Sequence, residues 1–254
     1  MLVLVEKDAQ AVSIRAADLV GGLIARNPRA VLGLAAGATP KDLYDELIRR
    51  DTDFSQVTVF GLDEYRDLPT DHPASCTAIL RSSLIDRVNL TPERIHLLDA
   101  IPPGDVSGYC AAHEAKIVQA GGIDLQLLGL GRNGHIGFNE PGGSLTSRTH
   151  LGALSASTRT ANAGGFPPPQ QVPRAAVTMG IGTILAVKRV LLLATGAAKA
   201  EMVAAFVEGP LTARIPASAL QLHPDAVVLL DEAAAAQLRF RDDYAAEAGL
   251  TSGS

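Results

Sequence analysis

The chain has 254 residues, 47% hydrophobic and 19% charged, which is enough for one substantial core in an ordinary globular protein. A net charge of −5 and a pI near 5.7 argue against nucleic acid as the main partner, but leave room for a local basic pocket that takes a small anion. Two cysteines are too few for a disulfide framework or a metal cluster and fit a reducing cytoplasm, and neither a signal peptide nor a membrane-spanning apolar run is evident.

Short apolar runs alternate with longer amphipathic ones. Residues 2–5 read as a strand, and 9–26 as a helix with Val12, Ala16, Leu19, Val20 and Leu23 at helical spacing. A strand at 30–34 and a helix at 41–50 follow. Further strands are predicted at 57–60, 95–98, 125–130, 190–194 and 227–230, with helices at 74–88, 108–120, 199–207 and 233–244 between most of them. Strands separated by helices need crossover connections, so the predicted fold is α/β: a single-domain, doubly wound, mainly parallel sheet with helices on both faces, Rossmann-like. The domain is assigned to residues 1–250, and 251–254 to a flexible tail. The Gly- and Pro-rich composition around Ala163-Gly164-Gly165-Phe166-Pro167-Pro168-Pro169 suits a surface loop, and a lid is assigned to 150–180.

Several strand ends carry residues with chemical potential. The segment Leu130-Gly131-Arg132-Asn133-Gly134-His135-Ile136-Gly137-Phe138-Asn139-Glu140-Pro141 leaves an apolar strand through closely spaced glycines and presents one His and one Glu. Open α/β sheets place ligands at this carboxyl edge, and His titrates near neutral pH. A tight turn with a solvated His is the other reading. Gly37-Ala38-Thr39-Pro40 opens a helix whose free N–H groups suit an anion, although its spacing is neither a Walker nor a dinucleotide fingerprint. In Asp63-Glu64-Tyr65 acids follow a strand directly, as a base in a cleft or as a helix cap. Lys199, near a later helix start, has the reach to hold a phosphate, and is otherwise a surface charge. His72 and His223 read as structural groups, and Arg132 as solvent-facing.

Together these motifs resemble the glucosamine-6-phosphate deaminase (isomerase) family. Leu32-Gly33-Leu34-Ala35-Ala36-Gly37-Ala38-Thr39-Pro40, Leu62-Asp63-Glu64-Tyr65, the Gly131–Pro141 segment, Thr178-Met179-Gly180-Ile181-Gly182-Thr183, Val207-Glu208-Gly209-Pro210 and Leu220-Gln221-Leu222-His223-Pro224 occur in family order. The resemblance implies a hydrolase acting on a C–N bond, which converts glucosamine 6-phosphate and water to fructose 6-phosphate and ammonia with no cofactor and no metal. It assigns proton abstraction at C2 to Asp63, ring opening to His135, support of His135 to Glu140, and phosphate binding to the Gly37-Ala38-Thr39 backbone and Lys199. Asn133 stands where some members carry an acid and completes the expected catalytic group. Partners are then a small amino-sugar phosphate, no nucleic acid and no membrane; a homo-oligomer is left open.

Two departures stand out. The family lid usually reads Ala-Asn-Ser-Arg-Phe-Phe and binds phosphate through its Arg, whereas this chain has Ala161-Asn162-Ala163-Gly164-Gly165-Phe166. Arg159 or Arg174 is a candidate substitute. His150 and Gly152 replace basic residues of allosterically activated members, so no activation by N-acetylglucosamine 6-phosphate is expected. The alternatives are a galactosamine-6-phosphate deaminase, a 6-phosphogluconolactonase-like hydrolase and a non-catalytic sugar-phosphate sensor.

Overall fold

The computed structural model describes residues 1–251. Its scaffold comprises β1 (Leu2–Glu6), α1 (Ala9–Arg26), β2 (Val31–Leu34), α2 (Ala38–Arg49), β3 (Thr58–Gly61), β4 (Asp63–Tyr65), α3 (Cys76–Ser83), β5 (Ile95–His96), α4 (Val106–Gln119) and β6 (Leu125–Gly129). The second half adds β7 (His150–Ala153), α5 (Ala156–Asn162), β8 (Ala175–Thr178), α6 (Ile181–Leu185), β9 (Val190–Ala194), α7 (Ala200–Val207), β10 (Ala226–Asp231) and α8 (Arg241–Thr251). Seven strands form one parallel sheet in the order β1-β10-β9-β6-β2-β3-β5. The central strands are continuous apolar runs because both faces are covered: every residue of β2, β9 and β10 is buried. Helix α1 starts where the Asp8 side chain accepts the Ala11 N–H at 2.8 Å, and it buries Val12, Ala16, Val20 and Ile24 along one stripe.

Strand order sets the place of the site. From β2 the chain steps to β3 and β5 in one direction, while from β6 it steps to β9 and β10 in the other. Crossovers of one hand running in opposite directions put their helices on opposite faces and open a crevice where the direction reverses, here between β2 and β6.

The structure adds a second sheet absent from the sequence reading: the antiparallel β4-β8-β7. Its strands have three or four residues and are rich in small or polar side chains, so no strand periodicity marks them. Two of them fall inside the 150–180 stretch expected to be a lid, and the chain between β7 and β8, which carries α5, belongs to neither sheet. That segment is docked. Phe166 is buried, packs edge-on against Tyr65 and stacks on His72, and Asn162 Nδ2 donates to Tyr65 OH at 2.8 Å. The helix expected at 233–244 also moves: Ala234 N–H is taken by Asp231 Oδ1 at 2.7 Å in a buried turn, and α8 begins at Arg241. Of the tail expected at 251–254, Thr251 closes α8 and 252–254 lie outside the described residues. Among the described residues no helix is long and apolar enough to cross a membrane.

Candidate active site

The loop after β6 borders the β2/β6 crevice and is built around its imidazole. A methyl group at Gly131 would lie 2.3 Å from the His135 ring, so only glycine lets the ring fold back over the loop. Gly137 has φ 55°, and a methyl there would sit 2.7 Å from Thr178 Oγ1 and 3.4 Å from Asp63 Oδ2. The loop therefore carries His135 and, two residues on at Gly137, passes beside Asp63. Asn139 is buried and locks the backbone by donating to the carbonyls of Ile136 at 2.9 Å and Met179 at 2.8 Å.

The contacts of Asn133 fix the tautomer of His135. Glu140 Oε2 can only accept, so the amide nitrogen of Asn133 faces it, at 2.8 Å. The amide oxygen then faces His135 Nδ1 at 2.7 Å, and since a carbonyl oxygen also only accepts, Nδ1 carries the hydrogen. Nε2 is left as the basic lone pair of neutral His135. Glu140 Oε2 lies 4.0 Å from Nδ1, close enough to favour the imidazolium when it forms. Burial lowers the His135 pKa most; Glu140 opposes this and the Lys199 charge adds to it. For Glu140, burial works upward, but hydrogen bonds from Thr158, Asn133 and Ser155 and the His135 charge hold its carboxyl below the ordinary value.

Asp63 has the contrasting environment. Desolvation pushes its carboxyl up to about 7; a hydrogen bond from Cys76 works against this, and the adjacent Glu64 charge adds to it. Its neighbour Glu64 points elsewhere and is a helix cap, the role the sequence left open for this acid pair. Its oxygens accept from the N–H groups of Tyr65, Cys76 and Thr77 and from Ser75 Oγ, at 2.8 to 3.1 Å.

On the other flank, Gly37 is the N-cap of α2, with Ala38 and Thr39 in the first turn, and Thr39 Oγ1 lies 3.5 Å from Thr195 Oγ1 in the loop after β9. Asp231 holds that loop by accepting the Gly196 N–H on both oxygens, and Lys199 Nζ donates to Leu130 O at 2.7 Å. Burial, then the charge of nearby Arg132, lowers the Lys199 pKa. Two cations thus sit together at the carboxyl edge, and Arg132 has no acidic partner among the described residues. Sequence reasoning left Arg132 as solvent-facing; its guanidinium is exposed, but its nearness to Lys199 joins loops 67 residues apart and leaves no local signal. Arg159 lies on α5 with a buried Nε that lacks a partner, Arg174 is exposed, and the position a Gly164 side chain would occupy is open space. His72 and His223 serve as anchors: His72 bonds Gln170 and the Ala74 N–H, and His223 bonds Val187 O and the Asp225 N–H. A surface hollow of about 690 Å³ lined by Asp51, Asp53 and Arg87 precedes β3, on the amino edge of the sheet, away from these groups.

Residues 6–229 match the family described as glucosamine-6-phosphate isomerases/6-phosphogluconolactonase. The chain belongs to this family. It is 47% identical over 248 residues to a glucosamine-6-phosphate deaminase of Arthrobacter sp. (strain FB24), covering 96% of this chain and 95% of that one. It is 49% identical over 245 residues to one from Cellvibrio japonicus (strain Ueda107), covering 94% and 92%. A solved monomeric glucosamine-6-phosphate deaminase superposes with a TM-score of 0.90 at 42% identity, over 93% of this chain and all of the other. A 6-phosphogluconolactonase from Trypanosoma brucei aligns with a TM-score of 0.75 at 21% identity, over 93% of this chain and 98% of the other, a likeness of fold.

Proposed function

We propose that this chain is a glucosamine-6-phosphate deaminase, an enzyme that turns D-glucosamine 6-phosphate and water into D-fructose 6-phosphate and ammonia. The observation that carries the mechanism is the pairing, along one loop, of a carboxyl poised near 7 with an imidazole whose Nε2 is free. A base with a pKa near the working pH is both available and strong enough to take a proton from carbon. In this reading His135 moves a proton to and from the ring oxygen as the sugar opens, with Glu140 and Asn133 steadying its charged form. Ionised Asp63 then removes the C2 proton of the open aldehyde, giving an enolamine that regains a proton at C1. Water adds to the resulting C2 imine and ammonia leaves, yielding the ketose.

The phosphate binds between the α2 N-terminus, at Gly37, Ala38 and Thr39, and Lys199 in this reading. The helix end supplies free N–H groups and Lys199 supplies charge. Arg132 adds the guanidinium that Gly164 does not provide from the lid. The covering segment between β7 and β8 shields the open-chain intermediates from water. The two free buried cysteines fit a cytoplasmic setting, and light scattering decides between a monomer and a homo-oligomer.

The test is ammonia release from glucosamine 6-phosphate by the purified protein, with deuterium exchange at C2 as the partial reaction. The galactosamine epimer and 6-phosphogluconolactone are the comparison substrates, and faster turnover of either one overturns the assignment.

A further inference from the structure

Neutral His135 keeps its Nε2 lone pair only while the Asn133 amide holds one orientation, oxygen toward Nδ1 and nitrogen toward Glu140. An amide turned over puts N–H groups against Nδ1, which must then accept, and the ring hydrogen moves to Nε2. Two hydroxyls of the α5 start close around this pair. Asn133 Nδ2 reaches Ser155 Oγ at 3.4 Å as well as Glu140 Oε2 at 2.8 Å, so both of its hydrogens have acceptors. Ser155 Oγ also accepts the Thr158 N–H at 3.1 Å. Its two lone pairs are then occupied, and its own hydrogen goes to Thr158 Oγ1 at 3.2 Å. Thr158 is buried, and its Oγ1 lies 3.3 Å from His135 Nδ1, where it offers a second acceptor beside the Asn133 oxygen. The Ser155 N–H donates to Glu140 Oε1 at 3.1 Å and ties the helix start to the carboxylate.

We propose that Ser155 and Thr158 are positioning residues for His135: one through the Asn133 amide and the other at Nδ1–H, they hold the imidazole in the tautomer that leaves Nε2 free to take the proton of the sugar. The inference rests on reading His135 as the group that moves that proton. The charged groups around His135 are Glu140 of its own loop and Lys199 of the loop after β9, with Arg132 beside Lys199, whereas α5 brings the two neutral hydroxyls. The division is chemical. Glu140 favours the charged ring over the neutral one, while a neutral acceptor at Nδ1 chooses between the two neutral forms.

The experiment follows the His135 ring nitrogens by NMR on labelled protein against pH in the parent, Thr158→Val, Thr158→Ser and Ser155→Gly, alongside kcat and KM on glucosamine 6-phosphate. Valine keeps the shape of Thr158 without its oxygen, and glycine is a substitution that a helix N-cap tolerates. In the parent the neutral ring carries its hydrogen on Nδ1. Thr158→Val and Ser155→Gly move part of it to Nε2 and lower the ring midpoint by about half a pH unit, the scale of one neutral hydrogen bond. In both, kcat falls about fivefold while KM holds, because the loss lies in proton transfer and not in phosphate binding. Thr158→Ser restores the parent pattern. Parent-like nitrogens in either folded variant, Thr158→Val or Ser155→Gly, overturn the proposal, as does a Thr158→Ser protein that follows the valine variant. Should neither variant fold, the parent decides: a neutral ring with its hydrogen on Nε2 overturns the proposal, and one with it on Nδ1 supports it. Failure of the functional reading looks different: the parent releases no ammonia, while the ring nitrogens keep this order.

Discussion

Asp63 and Glu140 border the same loop after β6, yet their surroundings drive the two carboxyls apart. Glu140 accepts from Asn133 and Ser155 and faces an imidazole, so its charge is well solvated by protein. Asp63 has an acidic neighbour, and desolvation takes it up to about 7. Environment, not residue type, separates a group suited to exchange protons from one suited to hold a charge beside a titrating base.

The largest effect expected from breaking this contrast is at Asp63. Asp63→Asn keeps the shape and removes the proton acceptor, and kcat falls roughly a thousand-fold, within the range for a lost general base; ammonia release and C2 deuterium exchange measure it together. Unchanged exchange removes Asp63 from its role. Glu140→Gln costs less, about a hundred-fold in kcat, and lowers the His135 titration midpoint because the carboxylate that favours the imidazolium is gone. Stability separates the two sites by sign. The folded-state pKa of Asp63 lies above its unfolded value, so its contribution is full below pH 3.8 and is lost as pH rises to about 7. Asp63→Asn therefore stabilises the fold at pH 8, by about 2 kcal/mol after allowance for partial exposure, and the gain vanishes near pH 4. Glu140, held low, works the other way: its contribution is present above the unfolded value and fades in acid, so Glu140→Gln lowers the pH 8 melting temperature. Denaturant and thermal melts at both pH values check the pair.

Two smaller effects test the phosphate end. Arg132→Ala raises KM for glucosamine 6-phosphate about tenfold, the low end for a charge-assisted contact, and leaves kcat nearly intact. Gly164→Arg enters open space in the covering segment, so it lowers KM a few-fold, about one exposed ion pair's worth. An unchanged KM in both variants directs attention to Arg159, whose buried Nε has no partner.

Much of the frame could be read from the chain. Runs such as Val190–Ala194 and Ala226–Asp231 are apolar from end to end because parallel strands are covered on both faces, and that pattern is local. The alanines at 233–236 looked helical for a local reason too, and failed because Asp231 captures the backbone two turns before α8 begins. The β4-β8-β7 sheet escaped because strands of three or four small residues carry no period. At the site, Asp63, His135, Glu140 and Lys199 drew notice from their places at strand ends and helix starts, while the roles expected of them came from family motifs. Thr158 and Arg132 lie beside His135 and Lys199 only through contacts between distant parts of the chain, which leave no local signal.

The cover and the proton relay share their atoms. Helix α5 is capped by Ser155, whose N–H donates to Glu140 Oε1 at 3.1 Å, and Thr158 one turn on places its hydroxyl 3.3 Å from His135 Nδ1. If the covering segment opens for product release, as the proposed function has it, lifting that helix strips the carboxylate of a donor and the imidazole of a neighbour in one motion. In the proposed mechanism, a molecule with α5 lifted is therefore a mistuned one, and the acid–base pair comes into tune only as the door shuts.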